Sequence, residues 1–234
     1  CLMEQRIYLD NNATTRPWPE VIDVVAYHLQ HSYANPGSRH AEGRQSRKVL
    51  ETARETIAEI LGAEPEELIF TSGGTEASNL ALLGAARSVS AGTIALTAGE
   101  RPATMETCRS LRAEGWHLKI LPVGCDGRLI WNDSVKSSVI DEGTKIATAI
   151  LAHNETGVIQ DVGPLAMTCR DNNIFCHVDA VQAAGKIAIN FAELEATSLA
   201  FGAHKFHGPR GIGGLLLRKG VKLATRTFGG NQES

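Results

Sequence analysis

Cysteine is scarce and scattered in this 234-residue chain: five residues, Cys1, Cys108, Cys125, Cys169 and Cys176, with no CxxC pair among them. An odd count without paired spacing excludes a disulfide framework and a zinc site and suits reduced thiols; no metal is implied. Long apolar runs are missing as well. Stretches such as Leu215–Leu217 fall far short of the ~18 residues a membrane span needs. No charged-then-apolar leader opens the chain, so a cytoplasmic protein without membrane contact is expected. Excess charge of one sign is also lacking. Lys+Arg 23 against Asp+Glu 26 gives a net charge of -3, with no basic stripe of the kind that marks a nucleic-acid partner. There is no GxxxxGK[ST] loop, and Gly208 to Gly214 does not read GxGxxG, so neither of those nucleotide motifs applies. Repeats and low-complexity linkers are absent.

What is present is an ordinary globular composition, 43% hydrophobic and 21% charged. A chain of this size buries roughly 70% of its unfolded surface and needs no staple. Apolar runs of strand length alternate with longer amphipathic segments, which predicts an α/β fold with a mainly parallel sheet flanked by helices. Strands are expected at Ile7–Leu9, Leu68–Thr71, Thr93–Leu96, Leu118–Leu121, Lys145–Leu151, Phe175–Asp179, Leu199–Phe201 and Gly214–Leu217. Helices are expected at Glu20–His31, Glu42–Leu61 with Gly62 as its stop, Glu76–Arg87, Ala103–Glu114 and Leu165–Asn172. In such sheets ligands bind beyond the carboxyl ends of the strands.

Three strand ends carry chemistry. Ser72-Gly73-Gly74-Thr75-Glu76 is a glycine turn feeding a helix, suited to hold a phosphate on backbone N–H groups and the helix dipole. A plain helix cap fits the same residues. Asp179 ends an otherwise apolar strand, where a carboxylate must find a cation or donors. It reads equally as the N-cap of Ala180–Gly185. Lys205 follows an apolar strand in Gly202-Ala203-His204-Lys205, where desolvation frees its amine for imine chemistry, although a surface lysine is the commoner case. A phosphate anchor, a partner for a ring nitrogen and a covalent tether are together what pyridoxal 5'-phosphate requires.

Six motifs carry a resemblance over essentially the whole chain: YLDNNATT at Tyr8–Thr15, ANPGSRHAEGR at Ala34–Arg44, FTSGGTEASNLAL at Phe70–Leu82, HNETG at His153–Gly157, HVDAVQAAGK at His177–Lys186 and GAHKFHGPRGIGGLLLR at Gly202–Arg218. The sequence resembles cysteine desulfurases of the NifS/IscS type, in the class V aminotransferase group of fold-type I pyridoxal-phosphate enzymes. The resemblance implies that Lys205 tethers the cofactor, Asp179 pairs with its ring nitrogen and Gln182 bonds its phenolic oxygen. It also implies that Gly74, Thr75, Gly202 and His204 lie at the phosphate and that Asn154 lies beside the ring and the substrate carboxylate. The activity implied is conversion of L-cysteine to L-alanine, with sulfur passed as a persulfide to an acceptor protein for iron-sulfur assembly or thiolation, in a homodimer.

Three departures from the pattern stand out. Arg101, in Thr97-Ala98-Gly99-Glu100-Arg101-Pro102, takes the place of a histidine over the cofactor face; a guanidinium stacks on a ring but does not act as an acid or base near neutral pH. Gly202-Ala203-His204-Lys205 stands where many members read SGHK, which removes one hydroxyl donor to the phosphate worth about 0.5–1.5 kcal/mol. Finally, the chain ends within the GGxQE-like Gly229–Ser234, ahead of the small domain that supplies the family's nucleophilic cysteine and carboxylate-binding arginine. The organisation expected is an N-terminal segment, residues 1–16, and a cofactor-binding large domain, 17–234. Of the five cysteines, Cys125 in its Gly124–Gly127 turn is the one exposed enough to react, and the 234 residues alone are expected to release little sulfide. Two other readings stay open: selenocysteine lyase or another class V lyase, and a catalytically inactive fragment acting as a scaffold or binding protein.

Overall fold

A computed structural model describes residues 7–139, 141 and 143–229; Cys1 and Gly230–Ser234 lie outside it. Seven strands form one sheet: β1 (Leu68–Thr71), β2 (Thr93–Thr97), β3 (His117–Leu121), β4 (Thr144–Ile150), β5 (Phe175–Asp179), β6 (Ser198–Gly202) and β7 (Gly213–Leu217). Their order is β1-β7-β6-β5-β4-β2-β3. β7 runs antiparallel to both neighbours, and the remaining pairs are parallel. Both faces of the sheet are covered, so the side chains of each strand divide between two cores with the period of two that a pleated strand imposes. Ala95, Ala147, Cys176, Val178, Leu199 and Leu216 face one core. Ile94, Leu96 and Ile146 face the other, as do Ala200 and Leu215.

The helices are α1 (Pro19–His31), α2 (Ala41–Leu61), α3 (Gly74–Ala86), α4 (Pro102–Leu111), α5 (Asp133–Val139), α6 (Gly163–Asp171) and the short α7 (Phe191–Leu194). α3 crosses the centre of the sheet beside α4, burying Ala77, Ala81, Leu82 and Leu83. Its small residues allow the helix to lie close to β6 and β7. α2 starts where the His40 ring accepts the Gly43 N–H at 3.2 Å and ends at Gly62 in the left-handed region, φ 63°. A Cβ at Gly62 would also collide with the Asn190 side chain. Gly62→Ala is therefore expected to lower stability by about 1–2 kcal/mol in urea unfolding, the cost of a left-handed non-glycine residue.

One expectation needs correction. Ile7–Leu9 forms no strand and is exposed. The expected helix Glu20–His31 is present as α1, and no residue of it is buried. Ile22, Val24, Tyr27 and Leu29 are exposed, and Val21 and Val24 line an apolar groove with Val49, Ala53 and Ile57 of α2. Among the described residues no helix is long and apolar enough to cross a membrane.

Candidate active site

The parallel strands β4 and β5 and the neighbouring β6 all deliver their carboxyl ends to one side of the sheet, and the residues just beyond them line a cleft with two lobes. The first lobe, about 420 Å³, is bounded by Thr14, Ser72–Glu76, Arg101, Val181, His204 and Arg210. The second, about 620 Å³, is bounded by Asp10, Asn12, Asn154, Gln182 and Lys205, with Arg101 again on its wall. Arg101 therefore stands where the lobes meet.

The first lobe is an anion cradle. α3 begins at Gly74, so the N–H groups of its first turn have no intrahelical partner and carry the positive end of the helix dipole. Ser72 N–H is already taken by the Glu76 carboxylate at 2.6 Å. Gly74 is dictated by packing, since a Cβ there would run into Val181. A Cβ at Gly202 would stand 3.3 Å from the Gly74 nitrogen, so the glycine keeps that N–H approachable. The His204 ring meets Thr14 Oγ1 at 3.2 Å. Partial burial, then the charges of Lys205, Arg101 and Arg210, lower its pKa.

In the second lobe, Lys205 closes a short turn after β6. Its Nζ donates to the carbonyls of Asn12 at 2.5 Å and Ala13 at 2.9 Å. Its pKa is lowered by partial burial first and then by Arg101 and Lys186, against the opposing pull of Asp10 and Asp179. Gln182 donates to the same Asn12 carbonyl at 2.8 Å and accepts from Lys186 Nζ at 2.8 Å. Asn12 Nδ2 in turn donates to the Asn154 carbonyl at 2.9 Å. Asn12 thus ties together three residues singled out from the sequence, Lys205, Gln182 and Asn154. Sequence reasoning assigned this asparagine no role; the signal available was the Asp10-Asn11-Asn12 run opening the first motif.

Asp179 is fully buried at the end of β5. Oδ1 accepts the Val181 N–H at 3.1 Å, so it does cap the following turns, but these do not become an α-helix. Oδ2 receives Arg101 Nε at 2.7 Å, with Nη2 at 2.6 Å, and Thr104 Oγ1 at 3.4 Å. The Arg101 guanidinium is therefore held on the carboxylate expected to serve a ring nitrogen. Two neighbouring groups are fixed by burial. His177, between Ser198 Oγ at 2.9 Å and Ser78 Oγ at 3.3 Å, has its pKa pushed down to about 4 and is a neutral core residue. Cys108, Cys169 and Cys176 are buried and Cys125 is exposed. Burial raises the Cys108 thiol to about 12; hydrogen bonding to Cys169, then burial, raises Cys176. Among the described residues, no cluster of three or more His, Cys, Asp or Glu is placed to hold a metal.

A family model described as aminotransferase class-V matches residues 7–233. The chain belongs to the class-V aminotransferases. Within that family it is a homologue of cysteine desulfurases. It is 38% identical over 234 residues to "Cysteine desulfurase IscS" of Dictyoglomus turgidum, an alignment covering 99% of this chain and 59% of that protein. It is 37% identical to a probable mitochondrial cysteine desulfurase of Dictyostelium discoideum, covering 98% of this chain and 52% of the relative. Among solved structures, a NifS-like protein matches with TM-score 0.92 at 37% identity over 98% of this chain and 63% of that one. "SspA in complex with cysteine" matches with TM-score 0.92 at 29% identity over 97% and 66%. This class-V chain spans between about half and three-fifths of the length of these curated relatives.

The class-V aminotransferases depend on pyridoxal phosphate, and the cleft fits that group on three grounds. The anion cradle has bare N–H groups, that of Gly74 kept approachable by Gly202, the amine of Lys205 lies in the adjoining lobe, and the Asp179 carboxylate is buried behind Arg101, which lines both lobes.

Proposed function

We propose that this chain binds pyridoxal 5'-phosphate through Lys205 and is the cofactor-binding part of an enzyme acting on L-cysteine, in which an attacking thiol takes the substrate sulfur as its own persulfide and L-alanine is released. The observation that carries the reading is that the α3 N-terminus and Lys205 line adjoining lobes that share Arg101, and that Arg101 sits on the buried Asp179. The first turn of α3, Gly202 and His204 would hold the phosphate, Asp179 the ring nitrogen and Gln182 the phenolic oxygen. Asn154 would lie at the ring and the substrate carboxylate. When bound, the cofactor supplies an electron sink for a bond broken at the amino acid's Cα. The chain's own part is to orient and to move a proton. Burial and the nearby Arg101 and Lys186 charges enlarge the fraction of Lys205 Nζ that is uncharged, the form a nucleophilic amine and general base must take. The Asn12 and Ala13 carbonyls aim that amine across the second lobe. Cysteine as substrate is supported by the desulfurase relatives and by the cysteine complex of SspA. The reading includes a sulfur-acceptor protein, a homodimer and a cytoplasmic setting.

The test is reduction with borohydride after incubation with pyridoxal phosphate, followed by peptide mapping. A single label on Lys205, absent from Lys205→Ala, is expected. A label on another lysine such as Lys186, or none with excess cofactor, would overturn the assignment.

A further inference from the structure

Asp179 Oδ2 is already engaged. Arg101 brings Nε and Nη2 to within 2.7 Å of it, Thr104 adds its hydroxyl, and Oδ1 is spent on the Val181 N–H. Arg101 belongs to a different element, the residue before α4, and its side chain does not cap that helix. It reaches instead to the junction of the two lobes, which a planar ring joining the cradle to Lys205 would have to cross. The side chain is 14% exposed and the carboxylate not at all, so the contact is shielded from solvent. A cation that holds the Asp179 carboxylate and also occupies the space in front of it competes with any ligand needing either.

We infer that Arg101 is an internal competitor for the ring seat: its guanidinium must leave Asp179 before pyridoxal phosphate can load, so the free protein is held in a state that binds cofactor weakly. This rests on the pyridoxal phosphate reading above and adds that loading is limited by this chain's own ion pair. An affinity reduced in proportion to the population of the competent state follows directly. With that state at roughly 1–10%, removing the guanidinium tightens binding about 10- to 100-fold.

The experiment is equilibrium titration of pyridoxal phosphate into wild type, Arg101→Ala and Arg101→Gln, followed by absorbance and by borohydride trapping at Lys205. Tighter binding by both variants, with the label still on Lys205, supports the inference. Equal or weaker binding overturns it and makes Arg101 a cofactor-holding residue. If no form of the protein is labelled on Lys205, it is the cofactor reading itself that falls. Should both variants fail to fold, hydrogen exchange at Arg101 Nε–H in the wild type decides. Exchange is slow in the free protein and must accelerate on loading; exchange that stays slow overturns the inference.

Discussion

Asp179→Ala is expected to lower the unfolding free energy by about 3–5 kcal/mol, the cost of removing one partner from a buried ion pair. The substitution leaves the Arg101 guanidinium nearly buried with no counter-charge and strips the Val181 N–H of its acceptor at the end of β5. Both losses carry desolvation that the folded state no longer recovers. Asp179→Asn keeps an acceptor for Val181 and is expected to cost less. The double variant Asp179→Ala/Arg101→Met should recover part of the loss, since an absent pair is cheaper than half of one. Urea unfolding of wild type, Asp179→Ala, Arg101→Met and the double variant completes the cycle, with Asp179→Asn measured alongside. If Asp179→Ala stays within about 0.5 kcal/mol of wild type, the range of ordinary surface changes, the pair is solvated and the argument for its competition with a ligand weakens with it.

Stability should also fall as pH rises, through a residue adjacent in sequence to that pair. Glu100 is buried; Oε1 accepts the Thr97 hydroxyl at 2.6 Å and Oε2 has no hydrogen bond. Burial pushes its carboxyl up to about 8, opposed by the Thr97 bond and reinforced by the charge of Asp179. The folded protein therefore keeps a proton that the unfolded chain releases near pH 4.5. Folding is favoured below that value and loses about 1.4 kcal/mol for each pH unit above it until the folded group ionises near 8. Between pH 5 and 8 the wild type should lose on the order of 2–4 kcal/mol through this residue. Glu100→Gln preserves an acceptor for Thr97 and cannot ionise, so its stability should be flat over the same window and exceed that of wild type at pH 8. Parallel pH profiles for the two proteins would show that Glu100 ionises freely in the fold.

Much of this architecture is written in local pattern. The 3.6-residue periodicity of α2 with its terminal glycine, and the apolar runs of β1, β5 and β6, appear within a residue or two of their expected places because burial on both sides of the sheet selects for them. Lys205 and Asp179 were visible for the same reason: a charged residue at the end of an apolar strand needs an explanation. α5 was not visible. Its sequence, DSVKSSV, holds little apolar periodicity and poor helix formers, and it forms because Asn132 caps it, accepting the Val135 N–H at 3.0 Å. Ile7–Leu9 misled in the opposite direction: three apolar residues carry strand propensity but no pairing, and the segment that follows is held instead by Thr15 N–H on the His204 carbonyl. The Arg101–Asp179 pair and the Asn12 tie join residues 78 and up to 193 positions apart, and no local signal announces a partner at that distance.

That separation has a consequence for how the protein is made. Asn12 is translated 193 residues before Lys205, whose amine it holds. At about 5–20 residues per second, roughly 10–40 s pass between the emergence of the two. For all of that time the 8–15 segment has no β6 turn to dock on, and the Thr15 N–H lacks the His204 carbonyl it meets at 2.8 Å in the finished protein. The β2–β4 region can form before Lys205 emerges; the amine pocket cannot. Cofactor capture therefore waits on that residue, and a nascent chain stalled ahead of Lys205 displays a partial phosphate cradle and nothing to tether.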